Sequence, residues 1–171
     1  YSLFKSERTP EMILKLSDLM NYIIYECQSD LVDLRKEIDF IHNYIALEKL
    51  RVEDSLEIVL DIQSDGIDYK ISPLLFVPFL ENAFKHGANI SEKKPYIHIK
   101  MSVDKQGMLL FECTNLLDEI VLDDLPEKQG GIGLGNVKKR LDLIYPQRAE
   151  LIIDDKSDKY MVRLKIQLEE E

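Results

Sequence analysis

The chain has 171 residues, 45% hydrophobic and 32% charged, which suits one well-buried domain with or without an extension and excludes a disordered or fibrous protein. Its 32 acidic residues against 22 basic ones give a net charge of -10, which argues against gripping a nucleic-acid backbone as the main role. No apolar run has the length of a membrane span, no signal peptide is visible, and Cys27 and Cys113 lack metal-ligand spacing, as expected of reduced thiols in a cytoplasmic setting. The first residue is Tyr1, so the chain reads as a piece of a longer protein.

In chain order, Thr9-Pro10 reads as a cap and a first helical residue, followed by Met12, Leu16, Leu19 and Ile23 at helical spacing as far as about Cys27. A second helix is predicted from Asp33 to about Arg51, with Leu34, Ile38, Ile41 and Ile45 on one face. Neither stripe can bury itself. A helical hairpin, a dimer contact or packing on the following domain would each serve. From Leu56 the period changes: LEIVLDI is a strand and the Gly66 region a turn. YIHIKMSV and MLLFECTN form a predicted hairpin around DKQG. A helix carrying Leu134, Val137, Leu141 and Ile144 ends at Pro146, and the strands ELIIDD and KYMVRLKIQL follow. In the last of these, Tyr160, Val162, Leu164, Ile166 and Leu168 share one side. The sum is an α+β protein: a two-layer sandwich with helices on one sheet face and water on the other, preceded by a helical segment.

Two stretches carry candidate chemistry. In LLFVPFLENAFKHG, a helix starting around Pro78 sets Glu81 with Lys85, and Asn82 with His86, as pairs four apart along one polar edge. A surface ion pair and a helix-end histidine would explain these residues equally well when taken alone. Their types also suit a site: Asn82 offers a neutral oxygen to a hard cation such as Mg²⁺. Glu81 is the candidate general base, and Lys85 and His86 can approach phosphate oxygens. In QGGIGLGNVKKRL, glycines at 130, 131, 133 and 135 let backbone approach an anion at the start of a helix. The spacing matches neither the phosphate loop nor the dinucleotide fingerprint. Lys138, Lys139 and Arg140 fan out around that helix, so Lys139 and Arg140 are expected mainly on its solvated side.

Together these stretches resemble the asparagine box and glycine box of sensor histidine kinases, within the gyrase, Hsp90, histidine kinase and MutL ATPase superfamily. LSDLMNYIIYE and LRKEIDFIHNYIALEKLR further resemble the LytS/YehU-like branch. The resemblance implies a Bergerat-type ATP-binding fold, with residues 1–50 left from the dimerisation region and linker and 51–171 forming the catalytic domain. It implies ATP and Mg²⁺ as ligands, with Asn82 at the metal and phosphates and Glu81 assisting attack by a histidine. Lys85 and His86 would lie near the phosphates, and Gly131, Gly133, Leu134 and Gly135 at the hinge and phosphate-facing turn of a short acidic lid, Leu117 to Gln129. Implied partners are a second copy in the full-length protein and a response regulator, with no direct nucleic-acid binding and no membrane contact from this segment. The implied place is the cytoplasmic side of an inner-membrane sensor.

Two features depart from the family pattern. His42, His86 and His98 all lie outside the Pro-His-Phe context of the phosphoacceptor, so the chain is expected to bind nucleotide without a histidine of its own to phosphorylate. Where the family has an adenine-binding aspartate, the chain reads FECTNLLDE, with Thr114 in its place and Asn115 next. Either can accept a hydrogen bond, but neither is charged, so weak ATP binding is expected. Two alternatives therefore stand beside the kinase reading. One is a degenerate domain serving as a dimerising or regulatory module, the other a stand-alone ATPase or a kinase of another substrate.

Overall fold

The computed structural model describes residues 2–52, 56–63, 69–87, 95–116, 132–155 and 159–169. Helix α1 (Ser2–Asn21) passes into a π-helical turn (Tyr22–Glu26), then a short strand β1 (Val32–Asp33) and helix α2 (Leu34–Val52). Strands β2 (Glu57–Gln63) and β3 (Lys70–Ile71) precede helix α3 (Val77–Gly87). Strands β4 (Tyr96–Val103) and β5 (Met108–Leu116), helix α4 (Ile132–Ile144) and strands β6 (Ala149–Asp154) and β7 (Lys159–Gln167) complete the chain. The Gly66 turn, the Leu117–Gln129 lid and Gly131 lie outside the described residues.

Five strands form one mixed sheet in the order β2-β4-β5-β7-β6, and β1 pairs with β3 as a separate ribbon. The pairing is antiparallel except between β2 and β4, which run parallel because α3 lies in the connection between them. The strand register sorts the side chains cleanly. Ile97, Ile99 and Met101 of β4 lie opposite Asn115, Cys113 and Phe111 of β5. Phe111 and Leu109 in turn face Leu164 and Ile166 of β7, making one apolar face against the helices. The reverse face carries Arg163 paired to Glu112 at 2.6 Å and Lys165 to Glu150 at 3.5 Å. This is the wet face that alternation predicts. Such exposed pairs contribute at most about 1 kcal/mol each. By contrast, truncating one buried aromatic of the Phe76–Phe79–Phe111 cluster, whose centroids lie 4.7 and 5.7 Å apart, costs about 3–5 kcal/mol. Apolar packing on this face, not ion pairing, holds α3 in place.

Helix α2 buries Leu34, Ile38, Ile41 and Ile45 as the period requires, and these residues belong to the same hydrophobic core as the sheet. Helix α1 departs from the sequence reading in where it starts, while the exposure of part of its apolar stripe is what a stripe without its partner leads one to expect. It does not begin at Pro10 but runs through it from Ser2. The cost is one missing amide at an exposed point of the helix, which the neighbouring turns tolerate. Its apolar stripe is only partly covered, with Leu19 buried while Leu16 and Ile23 are about half exposed. The helix then widens, the Cys27 amide donating to the Tyr22 carbonyl five residues back at 3.2 Å. Tyr22 is thereby turned inward while Ile23, Ile24 and Tyr25 stay outside. Among the described residues no helix is long and apolar enough to cross a membrane.

Tyr22 points at a carboxylate that the sequence reading left unremarked. Glu37 of α2 is 0% exposed, and its Oε1 accepts from the Tyr22 hydroxyl at 2.5 Å and the Leu74 amide at 2.6 Å. Burial raises its pKa, against the opposing pull of those two hydrogen bonds and the Arg140 charge. A carboxyl whose pKa rises on folding binds its proton more tightly in the folded chain than in the unfolded one. The stability this adds is complete below the ordinary glutamate range and is lost as pH rises through the raised folded value. Thermal melts of the wild type and Glu37→Gln between about pH 4 and pH 8 should therefore show the wild type losing stability relative to the variant as pH rises. Parallel profiles would contradict this.

Candidate functional site

Helix α3 starts where the sequence suggests. Pro78 sits in its first turn, where a missing amide is harmless, and the Phe79 and Leu80 amides donate to the Phe76 carbonyl at 3.1 and 3.2 Å. Phe79, Leu80, Ala83, Phe84 and Gly87 form its buried side. Glu81 and Lys85 are exposed, and Asn82 and His86 half-buried, so the polar edge has two strips. The Glu81 strip lies toward α2: the Phe84 ring meets Tyr44 edge-on at 6.1 Å, and Glu81 adds to the burial and Glu48 that raise the Tyr44 pKa. The other strip runs through Pro78, Asn82 and His86. Its Pro78 end adjoins α4, because a β-carbon on Gly133 would stand 3.8 Å from Pro78. Burial, and after it the charge of Lys85, lower the His86 pKa, which favours an uncharged imidazole at neutral pH.

The glycine-rich segment turns helical earlier than the sequence reading has it. Gly133, Leu134 and Gly135 lie in the first turn of α4, not in a loop before it. Leu134 is buried in the core, so only its backbone faces outward. Gly135 is exposed and a side chain there would meet nothing within 4 Å. The first amides of α4 have no acceptor within the helix, which suits an anion. Of the three following cations, Lys139 is exposed as expected and Lys138 is exposed too, but Arg140 is not on the solvated side. It is half-buried and donates to the Pro73 carbonyl at 2.5 Å. Nothing in a KKR run marks an acceptor so far away in sequence.

At the opposite end of α3, the structure separates the two adenine-end candidates. Thr114 shares its row with His98 and Met161 and lies on the wet face with Glu112. Asn115 lies on the helix face, in a row with Ile97 and Tyr160, and is 1% exposed. Thr114 therefore does not join the other candidates. The reason is the alternation of a strand, in which neighbours face opposite ways. Asn115 donates through Nδ2 to the Leu116 carbonyl at 2.8 Å, while its buried Oδ1 has no partner among the described residues. A buried acceptor left unpaired is costly, so this oxygen is aimed at something that can donate. Gly87 completes the contact: a β-carbon there would fall 3.0 Å from Asn115 Cβ and 3.3 Å from Ile97. Tyr160, whose pKa burial pushes up to about 12, is a further member of this end that alternation alone would have named.

No cluster of three or more His, Cys, Asp or Glu among the described residues could hold a metal. A cation at this site would take Asn82 as a protein oxygen ligand and fill its shell from water and a bound anion, a pattern that suits Mg²⁺.

The family profile for histidine kinases matches residues 1–56. The chain is 30% identical over 126 residues to YwpD, an uncharacterized protein of Bacillus subtilis (strain 168), covering 68% of this chain and 44% of that one. It is 27% identical over 151 residues to the sensor histidine kinase YpdA of Escherichia coli (strain K12), covering 79% and 25%. Against the sensor protein LytS of Oceanobacillus iheyensis the identity is 22% over 168 residues, covering 92% and 29%. The chain thus spans less than half the length of these curated relatives. Among solved structures, the histidine kinase domain of the Erythrobacter litoralis blue-light-activated kinase EL346 superposes with a TM-score of 0.60 at 15% identity, covering 96% of this chain and 81% of that one. The Acinetobacter baumannii histidine kinase AdeS gives 0.57 at 14% identity, covering 98% and 82%. The fold is the Bergerat-type sandwich seen in histidine-kinase catalytic domains.

Gly87→Val tests the close approach of α3 to Asn115. Either Asn115 or Ile97 must shift, and urea unfolding should show a loss of about 1–3 kcal/mol. An unchanged midpoint would mean that α3 is not seated against Asn115 as described.

Proposed function

We propose that the edge of α3 between α4 and Asn115 binds ATP with Mg²⁺, and that the chain is the catalytic part of a sensor histidine kinase. The observation that carries this reading is the Asn115 Oδ1, unpartnered among the described residues, at one end of α3, and the first turn of α4, exposed at Gly133 and Gly135, at the other. Pro78 and Gly87 are separated by nine steps of helix, about 13.5 Å, so both ends lie within reach of one nucleotide laid along the edge. In this reading Asn115 Oδ1 accepts from the adenine amino group, its amide held in that orientation by the bond from Nδ2 to Leu116. His86, one residue from the Asn115 contact, sits nearer the sugar than the phosphates. Lys85 and the amides around Gly131, Gly133, Leu134 and Gly135 meet the phosphate oxygens. Asn82 would hold Mg²⁺, which when bound neutralises charge on the phosphates.

Phosphoryl transfer needs placement and charge neutralisation more than covalent chemistry from the protein. In this reading Glu81, exposed and on the α2 side, would take the proton from an incoming imidazole as its nitrogen attacks the γ-phosphorus and ADP leaves. The histidine would belong to a segment upstream of this chain, and the phosphoryl group would pass on to an aspartate of a response regulator. The division at residues 50 and 51, a homodimeric parent of the LytS/YehU-like branch and an inner-membrane sensor with this domain on its cytoplasmic side belong to the same reading. A second reading, a regulatory module with weak or no ATP binding, draws support from the neutral Asn115 at the adenine end.

Calorimetric titration with Mg-ATP separates the readings. The wild type should bind more weakly than low micromolar, Asn82→Ala should lose metal-dependent binding, and Asn115→Leu should weaken binding about tenfold. Thr114→Val, on the far face, should change nothing. With the upstream histidine segment supplied, label from γ-phosphate ATP should appear on that histidine. A folded dimer that binds no Mg-ATP and transfers no label would favour the regulatory module.

A further inference from the structure

Glu37 has no part in the nucleotide reading, yet it is the one charged side chain that is buried among the described residues. One of its oxygens joins two distant places: the Tyr22 hydroxyl at the widened end of α1 and the Leu74 amide. The other oxygen, Oε2, is buried with no partner among the described residues. Leu74 is not an ordinary residue to hold. Its φ of 57° puts a branched side chain in the left-handed region, in the turn that delivers the chain into α3 three residues later. The same turn is gripped from α4 and the residue just beyond it. Arg140 donates to the Pro73 carbonyl at 2.5 Å, and the Tyr145 hydroxyl accepts from the Ser72 amide at 2.8 Å. The start of α3 is thus fixed by α2 and α4, and the end of α1 reaches it through the hydrogen bond from Tyr22 to Glu37. On the outer side of Tyr22 lies a cleft of about 310 Å³ lined by Leu19, Tyr22, Phe40 and Asn43, and across it the end of α1 meets α2 through the Tyr22 and Phe40 rings, 5.0 Å apart, and the Lys36–Glu26 pair at 2.6 Å. Tyr22, at the end of α1, thus links the position of that end to Glu37.

We propose that Glu37 is a positioning residue for the nucleotide site, making the placement of α3, and with it Asn82, depend on where the end of α1 sits. This rests on the reading of the Asn82 edge as a nucleotide site. When Tyr22 is in place, Glu37 is oriented to accept from Leu74 and the strained turn is held. When Tyr22 withdraws, the carboxyl loses the partner that fixes its rotamer and the turn loosens. A carboxyl that only filled space in the core would not link the hydroxyl of Tyr22 to nucleotide affinity.

The test uses the full chain, with calorimetric titration of Mg-ATP, thermal melting and amide hydrogen exchange on each variant. Tyr22→Phe keeps the ring and removes only the hydroxyl. It should weaken Mg-ATP about tenfold while still melting cooperatively, and speed exchange at Leu74 and the first turn of α3 but not in β4 or β5. Glu37→Gln, which retains an acceptor for both donors, should stay within about threefold of the wild type, whereas Glu37→Leu should lose binding. Wild-type affinity and wild-type exchange at Leu74 in Tyr22→Phe would overturn the proposal, whether or not Glu37→Leu folds. If the wild type binds no Mg-ATP, the nucleotide reading fails instead. Exchange at Leu74 then decides the coupling by itself, faster in Tyr22→Phe supporting it and unchanged overturning it.

Discussion

The structure depends on how the chain enters α3. A helix that presents Asn82 and His86 on one edge and Glu81 and Lys85 on the next is useful only if its rotation and height above the sheet are fixed. Apolar packing supplies the larger energy, through Phe76 and Phe79 on Phe111, but such packing is non-directional. Direction comes from the turn before the helix, where the Ser72 amide, the Pro73 carbonyl and the Leu74 amide are each engaged by a side chain from α2, α4 or the end of α4. Three hydrogen bonds to successive backbone groups leave the turn little freedom, and the left-handed Leu74 is tolerated because its surroundings over-determine it.

From that fixed start, α3 links the two ends of the candidate site. Its first turn adjoins the glycines that open α4, and its last residue touches Asn115. The sheet supplies the floor. Its apolar face is continuous across β4, β5 and β7 until Asn115 interrupts it with one amide, half satisfied by Leu116 and half open. A neutral acceptor in that place can still select a donor, but without the strength of a charged one. Under the nucleotide reading proposed above, such an acceptor would meet a purine amino group at modest affinity, and the phosphate end would supply much of the binding energy.

Much of this was legible in the sequence because it follows from periodicity. The faces of α2 and β7 are fixed by spacings of 3.6 and 2, and the apolar residues named from those spacings are buried, Tyr160 only partly. Period two also held information that the reading by family position left unused: Phe111, Cys113 and Asn115 share a parity, so Asn115, not Thr114, had to face the helices. The polar contacts that fix α3 were not legible. Glu37 lies in an amphipathic helix, where a glutamate ordinarily meets water, and its partners come from sites 15 and 37 residues away. Arg140 sits in a basic run, with an acceptor 67 residues distant. Local pattern marks which face a side chain takes, and it carries no mark of which distant backbone group that face will meet. Pro10 misled for a related reason: its residue preference signals a helix start, yet an exposed helix can carry one lost hydrogen bond.

The claim that α3 is the axis of a nucleotide site makes a residue-by-residue demand on the spectrum of the ¹⁵N-labelled chain titrated with Mg-ATP. The side-chain amides of Asn82 and Asn115 and the backbone amides of Gly133 and Gly135 should shift together along one binding curve, while Thr114 stays in place. Shifts confined to the Thr114 face, or no shift at Asn82 and Asn115 at saturating nucleotide, would contradict the account.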